Sequence, residues 1–191
     1  MQERLIWIFE DILKNRKNNQ SANLEAALSK RTRQYLGLFV AIISYYIIHE
    51  GAHLAYALVT GVFKQVNVME LGVQIDVFAE KMTDSQMGIF CLMGSLATLI
   101  AGYILVGKIN VLIKSTSDIF KACMYYVTII MLFMDPLYLC ILCSFFGGGD
   151  MNGISLIIPE IATRIIYGFL FVANAVIFIK VVLPKYKMAF K

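Results

Sequence analysis

The chain has 191 residues, of which 59% are hydrophobic and 16% charged, with a mean hydropathy of +0.72. Soluble domains hold roughly 45–50% apolar and about 25% charged residues, so this composition argues against a soluble globular domain, excludes disorder, collagen and a disulfide scaffold, and makes a multi-pass integral membrane protein the expectation. The net charge of +4 comes from a Lys/Arg excess at the two ends, which reads as membrane topology, with no nucleic acid as partner.

Residues 1–19 carry Leu5, Ile6, Ile8, Phe9, Ile12 and Leu13 at helical spacing with charges between them, the pattern of an amphipathic helix lying on a bilayer surface. Interrupting charges and the lack of a cleavage site set it apart from a signal peptide. Residues 1–33 form an amphipathic, basic N-terminal segment, and 34–191 a membrane-embedded core. From Gln34 to Phe63 the only formal charge is Glu50, and thirty residues of that polarity span a bilayer as a helix.

In Phe63–Glu80, Val66, Val68, Leu71, Val73, Ile75 and Val77 partly alternate with polar residues around Gly72, which predicts a short β-hairpin or edge strand. Ser85–Gly107 has no charge and Ala122–Gly149 only Asp135, giving two more spans. After Gly147-Gly148-Gly149, Asp150–Ile158 is expected to be a short helix, Pro159 the first residue of a new one, and Ile161–Leu183 the fourth span. Glu160 and Arg164, four apart, neutralise one another. The expected fold is an all-α polytopic membrane protein of about four transmembrane helices with an N-terminal amphipathic helix and a hairpin after the first span. Cys91, Cys123, Cys140 and Cys143 all lie in apolar runs and read as packing.

Seven of seventeen basic residues precede the first span, three flank the second loop (Lys108, Lys114, Lys121) and four lie at the C-terminus. By the positive-inside rule both termini and the second loop face the cytoplasm, and the first and third loops face outward.

The chemistry lies in His49-Glu50-Gly51-Ala52-His53, an H-E-x-x-H pattern within the first span and the site of both histidines in the chain. Imidazoles at i and i+4 stack on one helical face at the separation two zinc ligands need, and the glutamate between them can act as general base on water. An acid at the bilayer centre costs about 2.5–3.5 kcal/mol on insertion scales, so Glu50 calls for a function. Catalytic zinc takes three protein ligands, and the remaining candidates are Asp135, Asp150 and Glu160. Glu160 has Arg164 as partner. Glycine backbone can return Asp150 to the membrane, so Asp150 is favoured, with Asp135 as the alternative ligand.

These motifs resemble the site-2 protease family of intramembrane zinc metalloproteases, in which H-E-x-x-H on one transmembrane helix is followed two helices later by an aspartate-glycine motif. His49, Glu50 and His53 match fully. Asp150 in Gly149-Asp150-Met151-Asn152-Gly153 matches in part, with Met151 where the family has glycine. Gly94-Ser95-Leu96-Ala97-Thr98 keeps the spacing of the family's Gly-Pro-x-x-Asn with serine and threonine in place of proline and asparagine. The likeness covers about Leu36–Ile158.

The resemblance implies a minimal zinc metalloendopeptidase in a cell membrane of bacterial type. His49, His53 and Asp150 would hold Zn²⁺, Glu50 would be catalytic, and the strand-like segment Val66–Val77 would receive an unwound membrane protein or peptide substrate by β-addition. Thr98 and Asn152 are polar candidates for orienting substrate or ligands, or for bonding a helix carbonyl. An inactive relative serving immunity, export or scaffolding, and a divalent-metal transporter, are the alternatives.

Overall fold

The computed structural model describes residues 16, 30–69 and 72–190; the amphipathic helix expected over residues 1–19 lies outside the described residues. In chain order the elements are α1 (Lys30–Val59), a hairpin of β1 (Phe63–Met69) and β2 (Gly72–Val77), α2 (Asp84–Leu112), α3 (Asp118–Leu137), a short α4 (Gly149–Ile154) and α5 (Glu160–Ile177). A π-helical turn, Tyr138–Leu142, prolongs α3 into Cys143–Phe146, and another, Phe178–Val182, prolongs α5 into Leu183–Ala189. Four helices are long and apolar enough to cross a membrane: Lys30–Val59, Asp84–Leu112, Asp118–Phe145 and Glu160–Ala189. Their outward faces carry Phe39, Ile47, Ile100, Ile161, Phe169 and Val172, all exposed, as lipid contact would require.

The four long apolar helices and the hairpin match the sequence expectation in type and order, while their ends move. α1 begins before Gln34, and the chain is extended by Phe63 because the hairpin starts there. α2 starts at a capping box: the Thr83 hydroxyl accepts from the Gln86 N–H at 3.2 Å, and the Gln86 side chain accepts from the Thr83 N–H at 2.9 Å. Pro159, expected inside the last helix, is its N-cap: ψ of 138° keeps it extended while its carbonyl accepts from the Thr163 N–H at 3.0 Å.

The fourth helix passes the expected end at Leu183 because a widened turn absorbs Pro184. Pro136 in α3 is handled in a related way. A proline there has no N–H for the Leu132 carbonyl one turn back, and Asn174 of α5 donates its Nδ2–H to that carbonyl at 2.6 Å. Four residues on, Arg164 donates to the Cys140 carbonyl inside the π-helical turn at 3.1 Å.

α3 is the hub, packed against α1, α2 and α5. Lipid tails are as apolar as leucine, so close packing and polar bonds hold helices together in a bilayer more than apolar burial does. Such bonds recur here: Ser95 with Tyr167 at 2.6 Å joins α2 to α5, and Tyr103 donates to Asn174 at 2.8 Å. One end of the bundle gathers charges, where Asp118 pairs with Arg33 and Lys121 at 2.8 Å each and Lys185 donates to Asn110 at 2.7 Å. The hairpin and α4 occupy the other end, around a core of Ile75, Phe90, Leu139, Met151, Ile154 and Tyr167.

Candidate metal centre

His49 and His53 sit one turn apart on α1, both buried, near the end that carries the hairpin. The His53 Nδ1–H faces the Phe90 carbonyl of α2 at 2.8 Å, so its Nε2 is left with a lone pair. That Nε2 lies 3.2 Å from the Nε2 of His49. Asp150 closes the triangle, with its Oδ2 at 3.2 Å from His49 Nε2 and its Oδ1 at 3.6 Å from His53 Nε2. A tetrahedral zinc with bonds of about 2.0–2.1 Å spaces its ligand atoms about 3.3–3.4 Å apart; the His49–His53 and His49–Asp150 distances are near that spacing, His53 is approached by the other carboxylate oxygen, and one donor atom from each residue lies within 4.8 Å of the others. Two imidazoles and one carboxylate are a donor set that suits zinc. It does not by itself exclude other divalent ions.

Gly94 of α2 makes room for the triangle. A Cβ built on it would stand 2.5 Å from His53 Nε2 and 2.6 Å from His49 Nε2, so any side chain there would occupy the space of an ion.

Asp150 reaches the histidines by a chain reversal. After α3 ends, Gly147 takes φ of +87°, a conformation that favours glycine, and its carbonyl accepts from the Tyr138 hydroxyl at 2.8 Å. α4 then packs on α2, with Met151 and Ile154 buried and Asp150 in its first turn. Met151, at the family's glycine position, is thus a core residue of the α4 seat.

Glu50 follows His49 directly and is half-buried. Its Oε2 accepts the backbone N–H of Ile75 in β2 at 3.2 Å, tying the hairpin to the residue expected as base. β1 and β2 pair antiparallel from Phe63↔Val77 to Met69↔Gly72 with an irregularity between Phe63 and Gln65. Because the Ile75 N–H points at α1, the outer edge of β2 faces the site, while Val66, Val68 and Val73 are exposed on the hairpin.

The other predicted residues divide. Asp135 is buried with its Oδ1 3.3 Å from the other ring nitrogen of His49, Nδ1, behind the donor triangle. Thr98 donates to the Asp135 Oδ2, and its hydroxyl also lies 2.9 Å from the Ser95 carbonyl of its own helix. Asn152 is exposed, its side chain folded over Gly148. Glu160 pairs with Arg164 at 2.6 Å, as expected. The four cysteines are free thiols packed among apolar residues.

Tyr45 was not singled out from the sequence, yet its ring stacks on His49 with centroids 5.2 Å apart and its hydroxyl donates to Asp135 Oδ1 at 2.6 Å. The available signal was its spacing, one turn before His49 on the same helical face.

Comparison of the chain with family models, with curated proteins and with solved structures finds no match.

Proposed function

We propose that the chain is an intramembrane zinc metallopeptidase that hydrolyses a peptide bond in a membrane-spanning or membrane-associated segment. The observation that carries this reading is the meeting of His49, His53 and Asp150, with one donor atom from each within 4.8 Å of the others, from helices a hundred residues apart in sequence, with Glu50 on the adjoining position of α1. Zinc bound there would supply Lewis acidity, polarising a peptide carbonyl and acidifying water. His49, His53 and Asp150 hold the ion, and Gly94 keeps the space beside them clear. Glu50 takes a proton from water and returns it to the leaving amine. The hairpin receives an unwound substrate segment as an added strand, close to Glu50.

The test is cleavage of a labelled single-span peptide by purified protein in liposomes. The wild type with zinc should cut it, Glu50→Gln should not, and a chelator should abolish the wild-type activity. Equal cleavage by wild type and Glu50→Gln would overturn the reading. Zinc transport into liposomes without cleavage would favour a transporter instead.

A further inference from the structure

Asp135 is a buried carboxylate held by two hydroxyl donors and faced by an imidazole nitrogen, and the hydrolytic scheme assigns it no task. Tyr45 donates to Oδ1 at 2.6 Å, Thr98 donates to Oδ2, and His49 Nδ1 stands 3.3 Å from Oδ1. The approach of His49 does not make a hydrogen bond, which leaves its buried Nδ1 without a hydrogen-bond partner among the described residues and Asp135 as the carboxylate facing it. Three helices contribute: Tyr45 and His49 from α1, Thr98 from α2 and Asp135 from α3. Tyr45 fixes the arrangement from two sides, since its ring stacks on the imidazole that its hydroxyl helps to aim the carboxylate at.

We infer that Asp135 is a positioning residue: held by Tyr45 and Thr98, it keeps a proton on Nδ1 of His49 and so presents the Nε2 lone pair to the metal. The same logic operates at His53, where the Phe90 carbonyl serves as the Nδ1 acceptor. A histidine that ligates a metal through one nitrogen is oriented by the acceptor on the other, and a carboxylate acceptor also makes the ring a stronger donor to the ion. His49 has the carboxylate and His53 a neutral carbonyl, so the two ligands are not equivalent. This inference rests on the proposed zinc site for the identity of the ion, while the placement of the proton on His49 stands apart from it.

The test uses the full chain labelled with ¹⁵N-histidine, which has two histidines in all. In the metal-free protein, a slowly exchanging Nδ1–H signal is expected for both rings. Asp135→Asn should remove or speed the exchange of the His49 signal and spare that of His53. In zinc titrations against a competing chelator, Asp135→Asn should weaken binding about 10–100-fold while one zinc still binds at saturation. Tyr45→Phe and Thr98→Val should weaken it by less, in the same direction, and they serve as the test if Asp135→Asn fails to fold. An unchanged His49 signal with unchanged zinc affinity would overturn the inference. Complete loss of zinc at saturation would overturn it too, by making Asp135 a ligand. A wild type that binds no zinc would refute the proposed function, and the exchange measurement on metal-free protein would still decide the role of Asp135.

Discussion

Gly94 and His53 meet across the α1–α2 interface so closely that a Cβ on the glycine would lie 2.5 Å from the imidazole Nε2. Replacing Gly94 with alanine therefore has to displace a ligand nitrogen or the helix that carries it. Overpacking of this kind costs about 1–3 kcal/mol. Gly94→Ala should lower zinc affinity by roughly tenfold or more, since 1.4 kcal/mol is a factor of ten, with helix content by circular dichroism unchanged. Zinc affinity equal to wild type would show that the space beside the histidines is not used by an ion.

The bond from Asn174 to the Leu132 carbonyl exists because Pro136 offers that carbonyl no N–H. Asn174→Leu should destabilise the bundle by about 0.6–1.7 kcal/mol, the span measured for interhelical hydrogen bonds in a membrane protein. Pro136→Ala restores a backbone donor, so in that background the cost of Asn174→Leu should shrink. Unfolding in mixed detergent, run as a double-mutant cycle, reads the coupling. Simple additivity would show the two residues to be independent.

Arg164 joins the π-helical turn of α3 to α5 through the Cys140 carbonyl and the Ser144 hydroxyl, the latter at 2.7 Å. That turn leads into the glycine reversal that delivers Asp150. Arg164→Leu is expected to loosen the reversal and lower zinc affinity severalfold, while Glu160→Gln, which removes only the partly exposed partner, should change it little. Similar losses for the two variants would show that the ion pair, rather than the carbonyl bond, holds the turn.

Topology follows from charge. The basic end of the bundle, with Arg33, Lys121 and Lys185, lies opposite the end that carries the hairpin and Asp150, and by the positive-inside rule the basic end is expected to face the cytoplasm. Single cysteines at Ser21 and Asn152, in a chain freed of its four native cysteines, can be probed on intact cells with an impermeant thiol reagent. Labelling at Asn152 alone is expected, and labelling at Ser21 alone would invert the protein and place cleavage on the cytoplasmic side.

The long apolar helices were legible in the sequence because they declare themselves by length and polarity, and the pairing of His49 with His53 followed from helical spacing alone. The hairpin showed in its alternation around Gly72. Helix ends were less legible: Pro184 reads as a terminator locally, yet a π-helical turn carries α5 past it. The carboxylate that joins the two histidines was visible only as a choice between two aspartates. Both turn out to face His49, on opposite ring nitrogens, a distinction that depends on how α3 and α4 pack and leaves no trace in spacing. Tyr45 and Gly94 belong to the same class, since their importance lies in which helix stands opposite them.

The most direct measurement is the zinc content of purified, folded protein, wild type beside Glu50→Gln, His49→Ala and His53→Ala. The proposed site predicts about one zinc per chain in the wild type and in Glu50→Gln, because Glu50 stands outside the His49–His53–Asp150 group and is proposed as base, and loss of zinc in both histidine variants. A folded wild type that holds no zinc when the metal is supplied, or histidine variants that keep it, would contradict the account.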